Sequence, residues 1–144
     1  MSESGIPTVL VVDMANVVGS VPNGWWRDRA GAAQKLLTGL LALAGRDVPG
    51  PESDLIRLVR IIAVLEGQAN QATAPDAELS GGRLEIIRSE GSGDDEIAER
   101  VADLPVSGER VVLVVTADRG LRGRLRPAAE TTGPSWLNRL LERG

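Results

Sequence analysis

Asp13, Asp94, Asp95 and Asp118 are the side chains in this sequence best placed to do chemistry. Asp13 and Asp118 follow short apolar runs, VLVVD and VVLVVTAD, while Asp94 and Asp95 open a segment of helical spacing, SGDDEIAERV. Carboxylates gathered at one place repel, and without a counter-charge one of them takes up a proton or moves away. A divalent cation removes that conflict. Hard Mg²⁺ and Mn²⁺ prefer oxygen ligands, so a carboxylate cluster without His or Cys is the chemistry they need. Ions held this way clamp the oxygens of a phosphodiester displacement and activate the attacking water.

Other catalysts are excluded by composition. The chain has no His, which removes the usual general base and all Ser-His-Asp chemistry. It has no Cys, hence no disulfide, thiolate zinc site or cysteine nucleophile. Lys35 is the only lysine, and no GxxxxGK[ST] loop surrounds it. The net charge of −4 argues against a nucleic-acid binder with a wholly basic surface. Basic residues nevertheless cluster beside Asp118, at Arg119, Arg122, Arg124 and Arg126, giving an acidic centre with a basic flank.

Each acid also has a purely structural use. Asp13 can end a strand at a turn near Asn16, Asp94 and Asp95 suit the positive end of a helix behind Ser92, and Asp118 can cap the helix that follows it. Three separate chain positions placing acid at one edge of the fold favour the functional reading.

That edge follows from the elements. The sequence of 144 residues suits one domain, and its apolar residues are almost all Leu, Val, Ile and Ala, with three Trp and no Phe or Tyr. Strands are expected at Thr8 to Val12, Leu55 to Leu65, Leu84 to Ile87 and Arg110 to Val115. Helices are expected from Trp25 to Ala44, from Ser92 towards Pro105, at Gly120 to Arg126 and at Ser135 to Arg143. Val48 to Ser53 reads as a loop, and Gln68 to Gly82 as a short helix or loop. The alternation predicts an α/β fold with a mostly parallel sheet. Ligands of such sheets bind at the carboxyl ends of the strands, where Asp13 and Asp118 both fall. The N-terminus lacks a basic targeting region and no apolar stretch is long enough to span a bilayer, so no membrane association and a cytoplasmic location are expected.

Three segments, VVDMANVV, GSGDDEIAE and VVTADRGLRGRL, resemble the NYN branch of the PIN-like ribonucleases. The resemblance runs from about Thr8 to Leu141, with the middle third matching only as a pattern of strand and loop. It implies a Rossmann-like three-layer α/β/α sandwich and metal-dependent hydrolysis of RNA that leaves a 5′-phosphate. By the same resemblance Asp13, Asp94 or Asp95, and Asp118 would hold Mg²⁺ or Mn²⁺, Asn16 would orient Asp13 or the substrate, and Thr116 would support Asp118. The family commonly adds a further acid. Glu66, ending a strand at the same side of the sheet, and Asp28, between Arg27 and Arg29, are the candidates. Arg119, Arg122, Arg124 and Arg126 would meet RNA phosphates, and Trp25 or Trp26 would either stack on bases or anchor the core.

Two other readings share these residues: a nucleotide pyrophosphohydrolase using the same acidic site, and a catalytically inactive PIN-like domain that binds RNA or protein. A haloacid-dehalogenase phosphatase is excluded because its second motif Asp would stand at Ala15. A receiver domain is excluded because the acid pair comes late and its phosphate-binding Lys is absent. The sequence leaves open whether the chain forms a homodimer.

Overall fold

Val9 and Val11 face one side of the first strand, Leu10 and Val12 the other, and all four are at most 3 % exposed. A strand dry on both faces must lie inside a sheet covered by two layers of helix. A computed structural model of the chain, which describes residues 5–21, 24–72, 82–104, 111–125 and 128–141, has this arrangement. The strands are β1 (Ile6–Asp13), β2 (Asp47–Pro49), β3 (Leu55–Leu65), β4 (Leu84–Arg88), β5 (Val111–Val115) and β6 (Glu130–Thr132), and the helices are α1 (Met14–Val18), α2 (Arg29–Leu43), α3 (Gly93–Asp103), α4 (Arg119–Leu125) and α5 (Pro134–Leu140). All six strands form one sheet in the order β2-β3-β1-β5-β6, with β4 also on β3. Only β2 runs antiparallel to its neighbour.

Two separate cores follow from the two faces. On one side Leu36, Leu37 and Leu40 of α2, Met14 and Val17 of α1, and Trp136 and Leu137 of α5 pack on Leu10, Val12, Ala63 and Val115. On the other, Ile97 and Val101 of α3 and Leu121 and Leu125 of α4 pack on Val9, Val11, Ile62 and Val114. The result is the expected three-layer α/β/α sandwich. No helix among the described residues is long and apolar enough to cross a membrane.

One irregularity sets which way β3 faces. Thr8 pairs with Leu58 but Val9 pairs with Arg60, so β3 carries one residue more than β1 at this point. The bulge inverts the alternation: Ile56 and Leu58 face the α2 side, and beyond it the odd residues Ile61, Ala63 and Leu65 do so.

Several expected boundaries shift for identifiable reasons. The helix expected from Trp25 begins at Arg29, because the Asp28 carboxylate accepts from Gly31 N at 2.9 Å and caps it, leaving Trp25–Arg27 as a 3₁₀ turn. Gly45 ends this helix region at φ +81°, where a side chain would be strained. Val48 lies in a short strand that returns on Ile56 rather than in a loop. The unexpected α1 is a single polar-capped turn, and β6 is three residues long. Within Gln68 to Gly82, Gly67–Gln71 is a 3₁₀ turn and residues 73–81 lie outside the described residues, as do Arg110, Arg126 and residues 142–144.

Candidate metal centre

Strands β1 and β5 mark the point where the sheet order reverses. The chain builds from β1 outward to β3 and β4 on one side, then α3 carries it back to β5 on the other. A crevice opens at the carboxyl ends of strands at such a point. Here it has a volume of about 340 Å³ and is lined by Asp13, Asn16, Glu66, Asp94 and Asp118, with Ala15 and Ser92 between them.

Each acid arrives by its own route. Asp13 ends β1 and is 5 % exposed. One carboxylate oxygen accepts from Asn16 N at 3.3 Å, which starts α1, and the other accepts from the Thr116 hydroxyl at 2.8 Å. Thr116 is wholly buried and its oxygen also accepts from Asp118 N at 3.1 Å, so one hydroxyl ties the β1 acid to the turn carrying the β5 acid. Asn16 closes the link from the other side, its side-chain oxygen accepting from Ala117 N at 2.9 Å. Asp118 caps α4 by accepting from Leu121 N at 2.9 Å.

Glu66 follows β3, and its Oε2 accepts from Gly93 N at 3.1 Å, at the head of α3. Gly93 leaves room for that carboxylate: a Cβ there would stand 3.3 Å from Glu66 Cδ and Oε1. Gly93→Ala is therefore expected to displace Glu66 and weaken Mn²⁺ binding about tenfold while leaving the melting temperature within a degree or two, as a Mn²⁺ titration beside a thermal melt would read. Asp28, the other candidate for a fourth acid, is committed to capping α2 and does not line the crevice.

Of the neighbouring pair at the start of α3, the structure brings Asp94 to the crevice and turns Asp95 away. Asp95 Oδ1 accepts from Arg124 Nη1 at 2.9 Å on the open surface. Successive helical residues differ by about 100° in direction, so one of two adjacent acids must leave a shared point. The flanking arginines divide similarly. Arg122 donates through Nε and Nη2 to the Thr116 carbonyl at 3.0 and 2.8 Å, holding the β5–α4 turn rather than facing solvent phosphate. Arg124 is paired with Asp95, and Arg119 is exposed next to Asp118.

The crevice is electrostatically unfavourable as it stands. Burial pushes the Asp13 carboxyl above its ordinary value; its hydrogen bonds from Thr116 and Asn16 oppose the shift, and the charges of Glu66 and Asp118 add to it. Burial also pushes Asp94 up, and Asp118, Asp13, a hydrogen bond with Asp118, and Glu66 all act in the same direction. Among the described residues no cation contributes to either shift. Among the described residues no three acids already close on one point as the ligands of a bound ion would. The donor set nevertheless suits Mg²⁺ or Mn²⁺, which keep several waters and need only one or two direct carboxylates. Another cavity, about 390 Å³, lies at the amino ends of the strands over Thr8 and Leu113, away from every one of these acids.

No protein-family model and no curated sequence matches the chain. Among solved structures, a crystal structure of a point mutant of Rae1 (YacP) from Bacillus subtilis superposes with a TM-score of 0.65 at 16 % identity, covering 94 % of this chain and 75 % of that one. A second crystal structure of Rae1 (YacP) gives a TM-score of 0.64 at 18 % identity, over 93 % and 73 %. The shared fold is a mostly parallel sheet flanked by helices. At such identity the likeness speaks for the backbone alone, and the site rests on the residues described above.

Sequence reasoning read Ser92 only as the start of α3 and did not single out Gly93. Ser92 lines the crevice while capping α3 through Asp94 N, and Gly93 seats Glu66. The GSGDDE segment carried a signal for both, since a glycine directly before an acid pair leaves backbone exposed to a neighbouring carboxylate.

Proposed function

We propose that this chain is a metal-dependent ribonuclease of the PIN-like type, hydrolysing RNA phosphodiester bonds at the Asp13–Glu66–Asp94–Asp118 crevice with Mg²⁺ or Mn²⁺. The observation that carries this reading is the meeting of four acids from four separate segments, at the switch point of the sheet, with no cation among the described residues lining their crevice. Structural capping explains part of the bonding of Asp13, Asp118 and Glu66, but it gives no reason to gather them around one open crevice. The fold shared with Rae1 (YacP) and the three segments that resemble the NYN branch support the reading.

Asp13, Glu66, Asp94 and Asp118 would hold the cation. A divalent ion there supplies a Lewis acid for the attacking water and offsets the charge on the phosphate. The chain's own part is positional. Thr116 and Asn16 fix Asp13 in one rotamer and tie its strand to the Asp118 turn, so these two acids keep their separation as substrate enters. Arg122, by gripping the Thr116 carbonyl, steadies that turn from below. Exposed Arg119 is the flank residue left to meet a phosphate.

A labelled single-stranded RNA incubated with Mn²⁺ or Mg²⁺ tests the proposal. Cutting is expected with either ion and is expected to cease with a chelator. Metal-dependent release of pyrophosphate from nucleoside triphosphates, with RNA left intact, would replace it by a nucleotide hydrolase. Clean metal binding without hydrolysis of either substrate would leave a binding domain.

A further inference from the structure

Positive charge collects on the β2–β3–β4 edge of the sheet, away from the crevice. Arg57 and Arg60 both turn to the α3 side of β3, because Leu58 and Ile61 face α2. Arg57 donates to Asp47 of β2 through Nε and Nη2, at 2.8 and 3.1 Å. Arg60 and Arg100, the latter on α3, share Glu85 of β4, one on each carboxylate oxygen. Arg46 and Arg83 stand where β2 begins and β4 begins, on the same edge of β3: the Arg46 carbonyl accepts from Leu58 N at 2.9 Å and the Arg83 carbonyl from Ile61 N at 2.6 Å. The Arg83 side chain lies over Gly45, where a Cβ would stand 3.0 Å from its Cδ. Arg46 and Arg83 are exposed, and neither guanidinium has an ion-pair partner among the described residues.

Five arginines against two acids leave three positive charges uncompensated, on a chain whose net charge is −4. Blunting an edge strand against other chains needs no such excess, since single charges serve. From Arg57 to Ile62, the partner of Glu85, β3 advances about 17 Å, so the like charges repel unless an anion lies across them. A row of cations selects a ligand with a row of anions over a small single one. Resting on the ribonuclease reading above, we propose that RNA lies across this edge, with backbone phosphates on Arg46 and Arg83 and with Arg57, Arg60 and Arg100 beside them. Guanidinium groups suit phosphate oxygens. No aromatic side chain stands among the five, so the contact supplies affinity and not base preference. The row stops four residues before Glu66, about 13 Å along β3. An RNA long enough to reach from the crevice to the edge gains these contacts, and a very short one does not.

The probe is a labelled single-stranded RNA of about twenty nucleotides, titrated with chelator present so that nothing is cut, at several salt concentrations. Arg46→Gln/Arg83→Gln is expected to weaken binding about tenfold and to lower the slope of log affinity against log salt by about 1.4, since each phosphate contact on a single strand contributes about 0.7. Lys35→Gln/Arg139→Gln removes the same charge from exposed positions on α2 and α5, and is expected to leave affinity within about twofold. Thermal melts of both variants are expected to match the wild type. With Mn²⁺, the Arg46 and Arg83 variant is expected to raise KM for the long RNA about tenfold at unchanged kcat, and to cut a tetranucleotide as the wild type does. Equal losses in the two double variants, or no loss in either, overturn the proposal. Equal affinity of the wild type for RNA and for polyglutamate also overturns it and makes the edge a surface for acidic protein. Cleavage of the long RNA that ignores the Arg46 and Arg83 changes removes the edge while keeping the ribonuclease reading. A wild type that binds RNA through Arg46 and Arg83 but cuts none with Mn²⁺ refutes the ribonuclease reading and keeps the edge.

Discussion

Asp13→Asn is expected to lower metal-dependent RNA cleavage by on the order of a thousandfold, equivalent to about 4 kcal/mol of transition-state stabilisation. The substitution keeps the size of the side chain and its bond from Asn16 N, so the fold survives. It removes one anionic ligand, and the amide must also meet the Thr116 hydroxyl with a donor where an acceptor stood. Asp118→Asn is expected to behave alike. Thr116→Val provides the graded control: it keeps volume, deletes the hydroxyl shared by Asp13 and Asp118 N, and is expected to cost about tenfold, in line with roughly 1 to 2 kcal/mol for a buried hydrogen bond. The measurement is single-turnover cleavage of a labelled RNA at saturating Mn²⁺. Rates within threefold of wild type for Asp13→Asn would remove Asp13 from the chemistry.

The second large effect concerns stability. Added Mg²⁺ or Mn²⁺ is expected to raise the melting temperature by roughly 8 °C at a hundredfold excess over Kd, because binding to the folded state alone contributes about 2.7 kcal/mol there and a chain of this size gains about 3 °C per kcal/mol. Asp94→Asn is expected to raise the metal-free melting temperature by about 3 °C, as one of the repelling charges disappears, and to abolish most of the metal-induced rise. The pH dependence has a defined sign. Asp13 and Asp94 both hold their protons more tightly in the folded chain than in an ordinary carboxylate. Their stabilising contribution is therefore present below the ordinary carboxylate pKa and is lost as pH rises through the elevated values. Metal-free protein should lose stability across that acidic window, and Asp94→Asn should flatten the loss. Melts at several pH values with and without chelator measure both; a metal-free profile that rises with pH through the same window in wild type and Asp94→Asn alike would contradict the charge-crowding account.

The strands that place the acids were readable because they are long apolar runs with a polar stop. VLVVD and the 55–65 run needed no tertiary information, and the acids at their ends followed. Strand β6 was not readable, since Glu130–Thr132 is short and polar and exists only because Leu113 to Val115 offer it a parallel partner. Helix α1 was hidden for a related reason: MANVV is too short to show a helical period, and it forms where the Asp13 carboxylate captures Asn16 N and turns the chain. At the site, the sequence marked Asp94 and Asp95 equally, and only the packing of Ile97 and Val101 on the sheet fixes which of them faces inward. The arginine cluster looked like one surface in sequence. Folded, it is three different roles, a carbonyl clamp at Arg122, an ion pair at Arg124 and an exposed cation at Arg119.

The extra residue in β3 also governs how this protein can change length over time. A residue gained or lost between Leu55 and Leu58 can be absorbed by sliding the bulge, since the hairpin with β2 is short and its turn at Pro51 to Asp54 is exposed. The same change after Arg60 has no such outlet. A residue gained there would bring Leu65 to the position of Glu66, exchanging a proposed metal ligand for a leucine in one step. The amino half of the strand is thus free to drift, whereas the carboxyl half is held to a fixed count of residues by the charge it must deliver.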